Sequence, residues 1–285
     1  MYATILAHLL NGLLVIAMPV GLAIFFRRKF HLTWHLWWIG AGTFVLSQFA
    51  HIPFNWVIGL ILNRTAMVFW PKSGQLIFNA AFLGLSAGLF EELFRYGMFR
   101  WWAKDARSWS RGMMTGAGHG GAEAMLLVGV PVLLVFVNMS IARLPAIQST
   151  LTPVQDQAVD AYWSVPWYAA LLGALERFFT IPVQIALAVI VLQTFMRGQG
   201  FWVWLAVFYH ALIDAIAVLA ARSIGVYWTE AIIGIFALLS VIIIFALRQP
   251  EPVQQTQPSS SQAVPTFMPA PLEETPENLD KTRYQ

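Results

Sequence analysis

Long apolar runs, separated by short polar breaks, occupy most of the chain up to about residue 247. A helix needs about 20 mainly apolar residues to cross a bilayer, and seven runs reach that length. We predict membrane spans at about 2–26, 36–62, 75–102, 112–140, 167–196, 201–221 and 226–247. The pattern therefore predicts an all-α fold, a polytopic transmembrane helical bundle of about seven spans, with eight as the alternative.

The pattern changes at about residue 249, where the last apolar run ends. From there to residue 285 the chain is rich in Pro, Gln, Ser and Glu and has few apolar residues. A segment of this composition cannot bury a core. We predict a membrane domain over residues 1–248 and a disordered cytoplasmic tail over residues 249–285.

Basic residues in the short connections predict the orientation of the bundle. They are concentrated in 27–29, 100–111 and 196–200, three segments that fall on one side of the membrane. Cytoplasmic loops carry the excess of Lys and Arg, so we expect the N-terminus outside a bacterial cytoplasmic membrane. Basic residues follow the first apolar run instead of preceding it, which is the reverse of a secretory signal. We therefore expect an uncleaved first helix.

Composition supports the membrane class and excludes several kinds of chemistry. The chain is 58% hydrophobic and 11% charged, whereas soluble domains are roughly one quarter charged. The net charge of +3 is spread through short loops, so no nucleic-acid partner is expected. The chain has no cysteine, which excludes thiol catalysis, disulfides and thiolate metal sites.

Clusters of ionisable residues interrupt four of the predicted spans. Such residues are costly in the apolar layer and usually face a bundle interior or a water-filled cavity. In chain order the four groups are Glu91, Glu92 and Arg95; His119 and Glu123; Glu176 and Arg177; and His210 and Asp214.

Helix geometry relates three of these groups to one another. At 1.5 Å per residue, Glu91, His119 and His210 lie roughly 10–16 Å from the predicted cytoplasmic ends of their spans. We therefore expect them to share one cavity that opens towards the cytoplasm. Glu176 and Arg177 lie nearer the outer end of a long span, and we expect them to form a structural pair.

Spacing within the spans adds further expectations. Residues four apart share a helix face, so Glu91 can pair with Arg95, whereas Glu92 points about 100° away from Glu91. Gly112, Gly116 and Gly120 lie on one stripe of the fourth span. Such a stripe lets another helix approach closely, and it can also clear space for a substrate.

A glutamate and two histidines around one cavity can activate water. A carboxylate in a low-dielectric site can act as a general base, and a histidine can hold the water, carry a proton or stabilise an oxyanion. The same side chains could instead ligate a metal ion. The chain has no His-Glu-x-x-His motif, so the zincin arrangement is not expected. We also expect no serine-hydrolase site on these helices.

The polar groups carry a resemblance to a known family. "FEELFRY" (90–96), "GHGGAEA" (118–124), "LER" (175–177) and "HALID" (210–214) follow one another in the chain. In this order they resemble the motifs of the YhfC-type intramembrane proteases, which are similar to the CAAX-protease and bacteriocin-processing superfamily. The likeness extends over most of residues 1–247.

The resemblance implies an intramembrane endopeptidase, with Glu91 as the base that activates water and His119 as its partner in holding that water. His210 and Asp214 would stabilise the oxyanion or orient the substrate. The candidate catalytic residues are Glu91, Glu92, His119, His210 and Asp214, and the candidate supporting residues are Arg95, Glu123, Glu176 and Arg177.

Two positions differ from the CAAX-type pattern. Two residues instead of three separate Glu92 from Arg95, and the last motif ends in Asp214 where Asn is usual. Asp214 could donate a hydrogen bond if protonated, orient His210 or bind a metal. A glutamate-type mechanism without a metal is favoured, and no cofactor is firmly predicted. The alternative is a divalent metal such as zinc, held by His119, His210 and Glu91.

Two other functions fit a polar cavity in a membrane protein. Buried Glu, His and Asp residues also form proton relays, although the chain lacks the paired repeats of many transporters. A membrane scaffold without catalysis is the second alternative. For the protease, the expected partners are the lipid bilayer and a membrane-associated peptide or protein substrate.

Overall fold

The structure is a computed structural model that describes residues 2–250, apart from the side chains of Ala66 and Val68. Those residues form helices and contain no strand. The α-helices are α1 (Tyr2–Phe30), α2 (Trp34–Leu62), α3 (Lys72–Gly97), α4 (Trp109–Glu123), α5 (Val130–Ala142), α6 (Pro145–Gln148), α7 (Pro153–Ser164), α8 (Leu172–Met196), α9 (Phe201–Ser223) and α10 (Val226–Ala246). Apart from its first two residues, the predicted tail lies outside the described part of the chain.

Seven helical segments of residues 2–250 are long and apolar enough to cross a membrane. Two of them extend through π-helical turns, Met98–Trp102 after α3 and Ala124–Gly129 between α4 and α5. The spans are Tyr2–Phe30, Trp34–Leu62, Lys72–Trp102, Trp109–Ala142, Ala169–Met196, Phe201–Ser223 and Val226–Ala246. The predicted polytopic helical bundle is confirmed, and the protein is an integral membrane protein.

Helix α8 lies at the centre of the bundle, whereas α2 lies at its surface. All residues from 183 to 193 of α8 are buried, as expected for a helix that is apolar on every face. On α2, large side chains such as Phe49 and Trp56 are exposed. Because lipid tails are as apolar as leucine, these exposed side chains suit contact with the bilayer.

Glycines set the closest helix contacts around α4. A Cβ added to Gly116 would lie 2.8 Å from Cα of Ile185 on α8, and one added to Gly118 would lie 2.8 Å from the carbonyl carbon of Trp37 on α2. The close approach predicted from the glycine stripe is therefore confirmed against α8. The same helix is also held tightly against α2 on another face.

Glycines also bring α3 against α9. A Cβ on Gly88 would lie 2.6 Å from the carbonyl oxygen of Val207, and one on Gly84 would lie 2.9 Å from the backbone nitrogen of Ala215 and closer still to the carbonyl oxygen of Ala211. Small residues allow such close backbone approach between membrane helices. This contact brings the acidic pair of α3 beside the histidine of α9.

Candidate active site

Three ionisable residues from three helices meet in the interior of the bundle. Nε2 of His119 on α4 lies 3.1 Å from Oε2 of Glu91 on α3, and Nε2 of His210 on α9 lies 3.9 Å from the same oxygen. Glu91 is 6% exposed, His119 1% and His210 4%. The shared level that helix geometry predicted for these residues is confirmed by these distances.

Both carboxylate oxygens of Glu91 have a hydrogen-bond partner. Gln48 Nε2 on α2 donates to Oε1 at 3.0 Å, and His119 Nε2 contacts Oε2. An ionised carboxylate only accepts hydrogen bonds and has about four lone-pair positions. His119 is therefore the donor in its contact, and Glu91 keeps capacity to accept a hydrogen bond from a water molecule.

Gln48 is a residue of this arrangement that the sequence motifs do not include. The signal that could have found it is its position within a span, because polar residues at membrane depth usually face the bundle interior. A polar residue in an exposed helix such as α2 then points to a partner on a neighbouring helix. That partner is Glu91.

Glu92 forms a buried ion pair with Arg95. Arg95 Nη1 lies 2.7 and 2.6 Å from the two carboxylate oxygens, and the two residues are 1% or less exposed. Arg95 therefore pairs with Glu92 and not with Glu91, the partner that its spacing also allows. Glu91 points about 100° away around the helix, and Arg95 Nη2 also donates to Oε1 of Gln184 at 2.7 Å, which holds the guanidinium on the side of Glu92.

His210 is held between two acidic groups. Its Nδ1 lies 2.8 Å from Oε1 of Glu92, and because a carboxylate only accepts, Nδ1 carries the proton. Its Nε2 lies 3.6 Å from Oδ2 of Asp214, one helical turn further along α9. Glu92 therefore fixes the orientation of the ring, and Nε2 is directed towards Glu91 and Asp214.

Gln184 connects this group to a second cluster of charges. Its Nε2 donates to Oε2 of Glu123 at 2.7 Å, while Oε1 of Glu123 accepts from Arg177 Nη1 at 2.8 Å. Arg177 also pairs with Glu176. Hydrogen bonds and ion pairs thus continue from His210 through α3 and α8 to Glu176.

The second cluster lines the same cavity as Glu91. The expected pair of Glu176 and Arg177 is present, and it lines the cavity although helix rise places it nearer the outer end of the span. Helix α8 continues unbroken through Pro182, and its close contact with α4 at Gly120 brings Arg177 to Glu123. Helix rise alone could not reveal this packing.

The cavity has a volume of about 240 Å³. Asp214 contributes a half-buried carboxylate to its wall, whereas Glu92, Arg95 and His119 lie behind the wall. The polar lining residues are Gln48, His51, Glu91, Glu123, Glu176, Arg177, Thr180, Gln184, His210 and Asp214. The cavity can hold several water molecules next to the carboxylate of Glu91.

The side chains around Glu91 do not form a metal site as they are arranged. A zinc ion takes three or four protein ligands at about 2 Å, and Glu91, His119 and His210 supply suitable donor types. Across residues 2–250, however, no three His, Asp or Glu side chains are grouped so that they could hold an ion. Nε2 of His119 is instead engaged by Glu91. Nδ1 of His119, which usually has a hydrogen-bond partner when a histidine binds a metal, has none in the described part of the chain.

The sequence contains one Gly-x-Ser-x-Gly motif, although no serine-hydrolase site is expected on these helices. Residues 84–88 are Gly-Leu-Ser-Ala-Gly, which matches the Gly-x-Ser-x-Gly pattern, and Ser86 Oγ lies 3.1 Å from His51 Nε2. That motif works on a strained strand-to-helix turn beside free backbone N–H groups, whereas these residues lie within α3. Their two glycines serve the contact with α9, and Ser86 donates to the carbonyl of Leu83.

Comparison with known proteins identifies the family. A family model described as YhfC intramembrane metalloprotease matches residues 14–237, a range that contains all four polar groups. The chain belongs to the YhfC family. Within that family, the uncharacterized membrane protein YhfC of Bacillus subtilis (strain 168) is 31% identical over 243 residues, which covers 81% of this chain and 92% of that protein. No solved structure matches the chain.

Proposed function

We propose that this YhfC-family protein is an intramembrane peptidase that hydrolyses a peptide bond of a membrane-associated or hydrophobic peptide. The observation that carries the proposal is the position of Glu91, whose carboxylate lines a polar cavity and lies 3.1 and 3.9 Å from two imidazole nitrogens. The description of the family as intramembrane metalloproteases supports the same class of reaction.

In this mechanism Glu91 is the general base. A water molecule in the cavity donates a hydrogen bond to the carboxylate, which removes its proton as the oxygen attacks the scissile carbonyl carbon. The carbonyl oxygen becomes an oxyanion, and the proton held by Glu91 passes to the leaving amine when the carbon–nitrogen bond breaks. His119 and Gln48 keep the carboxylate in place through their contacts at 3.1 and 3.0 Å.

His210 stabilises the oxyanion. With Nδ1 bound to Glu92 at 2.8 Å, a protonated Nε2 can donate to an oxygen that develops negative charge. Asp214, 3.6 Å from Nε2, balances the charge of the imidazolium. Glu92 and Arg95 are buried behind His210 and act as positioning residues.

Charge placement supports an orientation with the N-terminus outside and the C-terminal residues in the cytoplasm. The basic connections at 27–29, 100–111 and 196–200 then lie on the cytoplasmic side, as is usual for short loops. The same orientation suits a bacterial cytoplasmic membrane. On this proposal residues 249–285 lie on the cytoplasmic side of the membrane.

Cleavage by the purified protein tests the proposal. We would incubate the protein in nanodiscs with a mixed library of hydrophobic, prenylated and juxtamembrane peptides and identify products by mass spectrometry. We expect defined cuts by the wild type and a loss of about 100- to 10,000-fold in Glu91→Gln, because general-base catalysis contributes about 10²–10⁴-fold.

Glu230→Gln is the matched control, because Glu230 on α10 is also 6% exposed but does not line the cavity. This variant should cut at the wild-type rate. Equal rates for Glu91→Gln and the wild type would refute the role of Glu91. A parallel reaction with a chelator tests the glutamate mechanism, which predicts unchanged rates. If the chelator abolishes cleavage and added Zn²⁺ restores it, a metal mechanism replaces the glutamate mechanism.

A further inference from the structure

Two apolar grooves open beside α2 on the surface of the bundle. The α2–α4 groove has a volume of about 320 Å³ and lies between α2 and the π-helical segment that follows α4. The α2–α3 groove has a volume of about 440 Å³ and lies between α2 and α3. The residues that line the α2–α4 groove include Phe44, Gln48, Phe49, Ile52, Leu126 and Leu127.

Only one of these two grooves shares lining residues with the polar cavity. Gln48 and Leu127 line both the α2–α4 groove and the cavity that contains Glu91. The larger α2–α3 groove, lined by residues such as Leu85 and Leu89, shares no lining residue with the cavity in the described part of the chain. The shared wall with the cavity, and not the volume, therefore distinguishes the α2–α4 groove.

The inner end of the α2–α4 groove lies against the reaction centre. Gln48 is its one polar lining residue, and its amide donates to Glu91 at 3.0 Å. The ring of Phe44, which is 1% exposed, meets the His119 ring edge to face with centroids 5.3 Å apart. A chain that lies in the groove and continues past Gln48 would therefore reach Glu91.

The charges of the cavity indicate which kind of substrate side chain can bind beyond Gln48. The cavity wall contains four carboxylates, from Glu91, Glu123, Glu176 and Asp214, and one guanidinium, from Arg177. Even with His210 protonated, the acidic groups are in excess. A cationic side chain next to an apolar segment complements this combination of groove and cavity, whereas a phosphate does not.

We propose that the α2–α4 groove binds the apolar segment of the peptide substrate, which enters sideways from the bilayer and places a basic flanking residue in the acidic cavity. The inference deepens the proposed function and rests on it. Apolar side chains fill the groove, the chain passes Gln48, and the peptide bond that follows lies against Glu91. The substrate class is therefore a membrane-embedded apolar segment with an adjacent Lys or Arg.

Cross-linking tests where the apolar segment binds. The chain has no cysteine, so a single cysteine can carry a benzophenone label at Ile52, or at Leu85 as the control in the other groove. These residues are similarly exposed, at 58% and 52%. The probe is a synthetic peptide with about 20 leucine and alanine residues followed by two lysines, added to the Glu91→Gln variant in nanodiscs.

We expect at least tenfold more peptide cross-linked at Ile52 than at Leu85. Equal yields, a higher yield at Leu85, or no peptide at either position would overturn the proposal. A phospholipid adduct at Ile52 that excess peptide does not displace would also overturn it. Replacing both lysines of the probe by glutamates should lower the yield at Ile52 about tenfold, and an unchanged yield would refute the charge preference.

Blocking the groove tests its use in cleavage. Ile52→Trp should raise KM for the lysine-flanked peptide about tenfold and leave kcat unchanged, because the reaction centre is not altered. Leu85→Trp should change neither constant. An unchanged KM in Ile52→Trp would refute substrate binding in the α2–α4 groove. Absence of cleavage by the wild type would refute the proposed function, and the cross-linking result alone would then test binding in the groove.

Discussion

Gly118 lies where α4 crosses α2, and its replacement by alanine tests how the helices hold the candidate site. The added Cβ would lie 2.8 Å from the carbonyl carbon of Trp37, whereas ordinary contacts begin at 3.4 Å. The carbonyl oxygen of Trp37 would lie closer still, so the two helices must separate by more than about 0.6 Å, the difference between these two distances. Since α8 lies against another face of α4 at Gly116, we expect α2 to move outwards.

This displacement has a cost that can be measured. Overpacking of this kind destabilises by about 1–3 kcal/mol, but replacing a helical glycine by alanine also gains about 1 kcal/mol from helix propensity. Gly42→Ala on α2 provides the matched control, because nothing lies within 4 Å of its added Cβ. Gly118→Ala should therefore be about 1–3 kcal/mol less stable than Gly42→Ala.

The movement of α2 also has a consequence for catalysis. Gln48 Nε2 lies 3.0 Å from Glu91 Oε1, and a shift of about 0.6 Å would stretch this contact to the limit of a hydrogen bond. A misplacement of about 1 Å can cost about 10²-fold in rate, so we expect Gly118→Ala to cleave about 10- to 100-fold more slowly.

Two assays check these values. Reversible unfolding in mixed detergent micelles gives the difference in the free energy of unfolding, and peptide cleavage in nanodiscs gives the rate. Gly118→Ala that is as stable and as active as Gly42→Ala would refute the reasoning, because the close contact would then carry no constraint.

Two further predictions concern the buried ion pair and the orientation of the bundle. Arg95→Met removes the guanidinium that pairs with Glu92, which is 0% exposed, and should lower the free energy of unfolding by about 3–5 kcal/mol. Arg100 is exposed, so Arg100→Met should change the free energy of unfolding by less than about 0.5 kcal/mol. Similar values for the two variants would contradict the buried ion pair. In the cysteine-free chain, a cysteine at Lys104 should be shielded from a membrane-impermeant maleimide in intact cells while one at Arg64 is labelled; the opposite labelling would reverse the proposed orientation.

The spans could be predicted because bilayer thickness fixes the length of an apolar run. The level of Glu91, His119 and His210 could also be estimated, since the rise per residue of a helix is constant. Neither the span lengths nor the depths of these residues depend on which helices are neighbours. The fourth span, Trp109–Ala142, lies close to the predicted 112–140 because the helix continues through the π-helical turn into α5.

Contacts between helices could not be predicted in the same way. The spacing of Glu91 and Arg95 shows that they share a helix face, but the partner of Arg95 depends on Gln184, a residue of another helix. The contact of Gln48 with Glu91 has the same origin, since it depends on how α2 lies against α3. The position of Arg177 beside Glu123 likewise follows from the packing of α8 on α4.

The amide of Gln184 has a consequence for which residues this position tolerates. Its oxygen accepts a hydrogen bond from the guanidinium of Arg95, and its nitrogen donates one to the carboxylate of Glu123. The amide therefore connects two groups of opposite charge. A glutamate there would repel Glu123, a lysine would repel Arg95, and an asparagine of the same helix is one methylene too short to span both contacts. Replacement of Gln184 by a charged residue or by asparagine should therefore disconnect the two charge clusters.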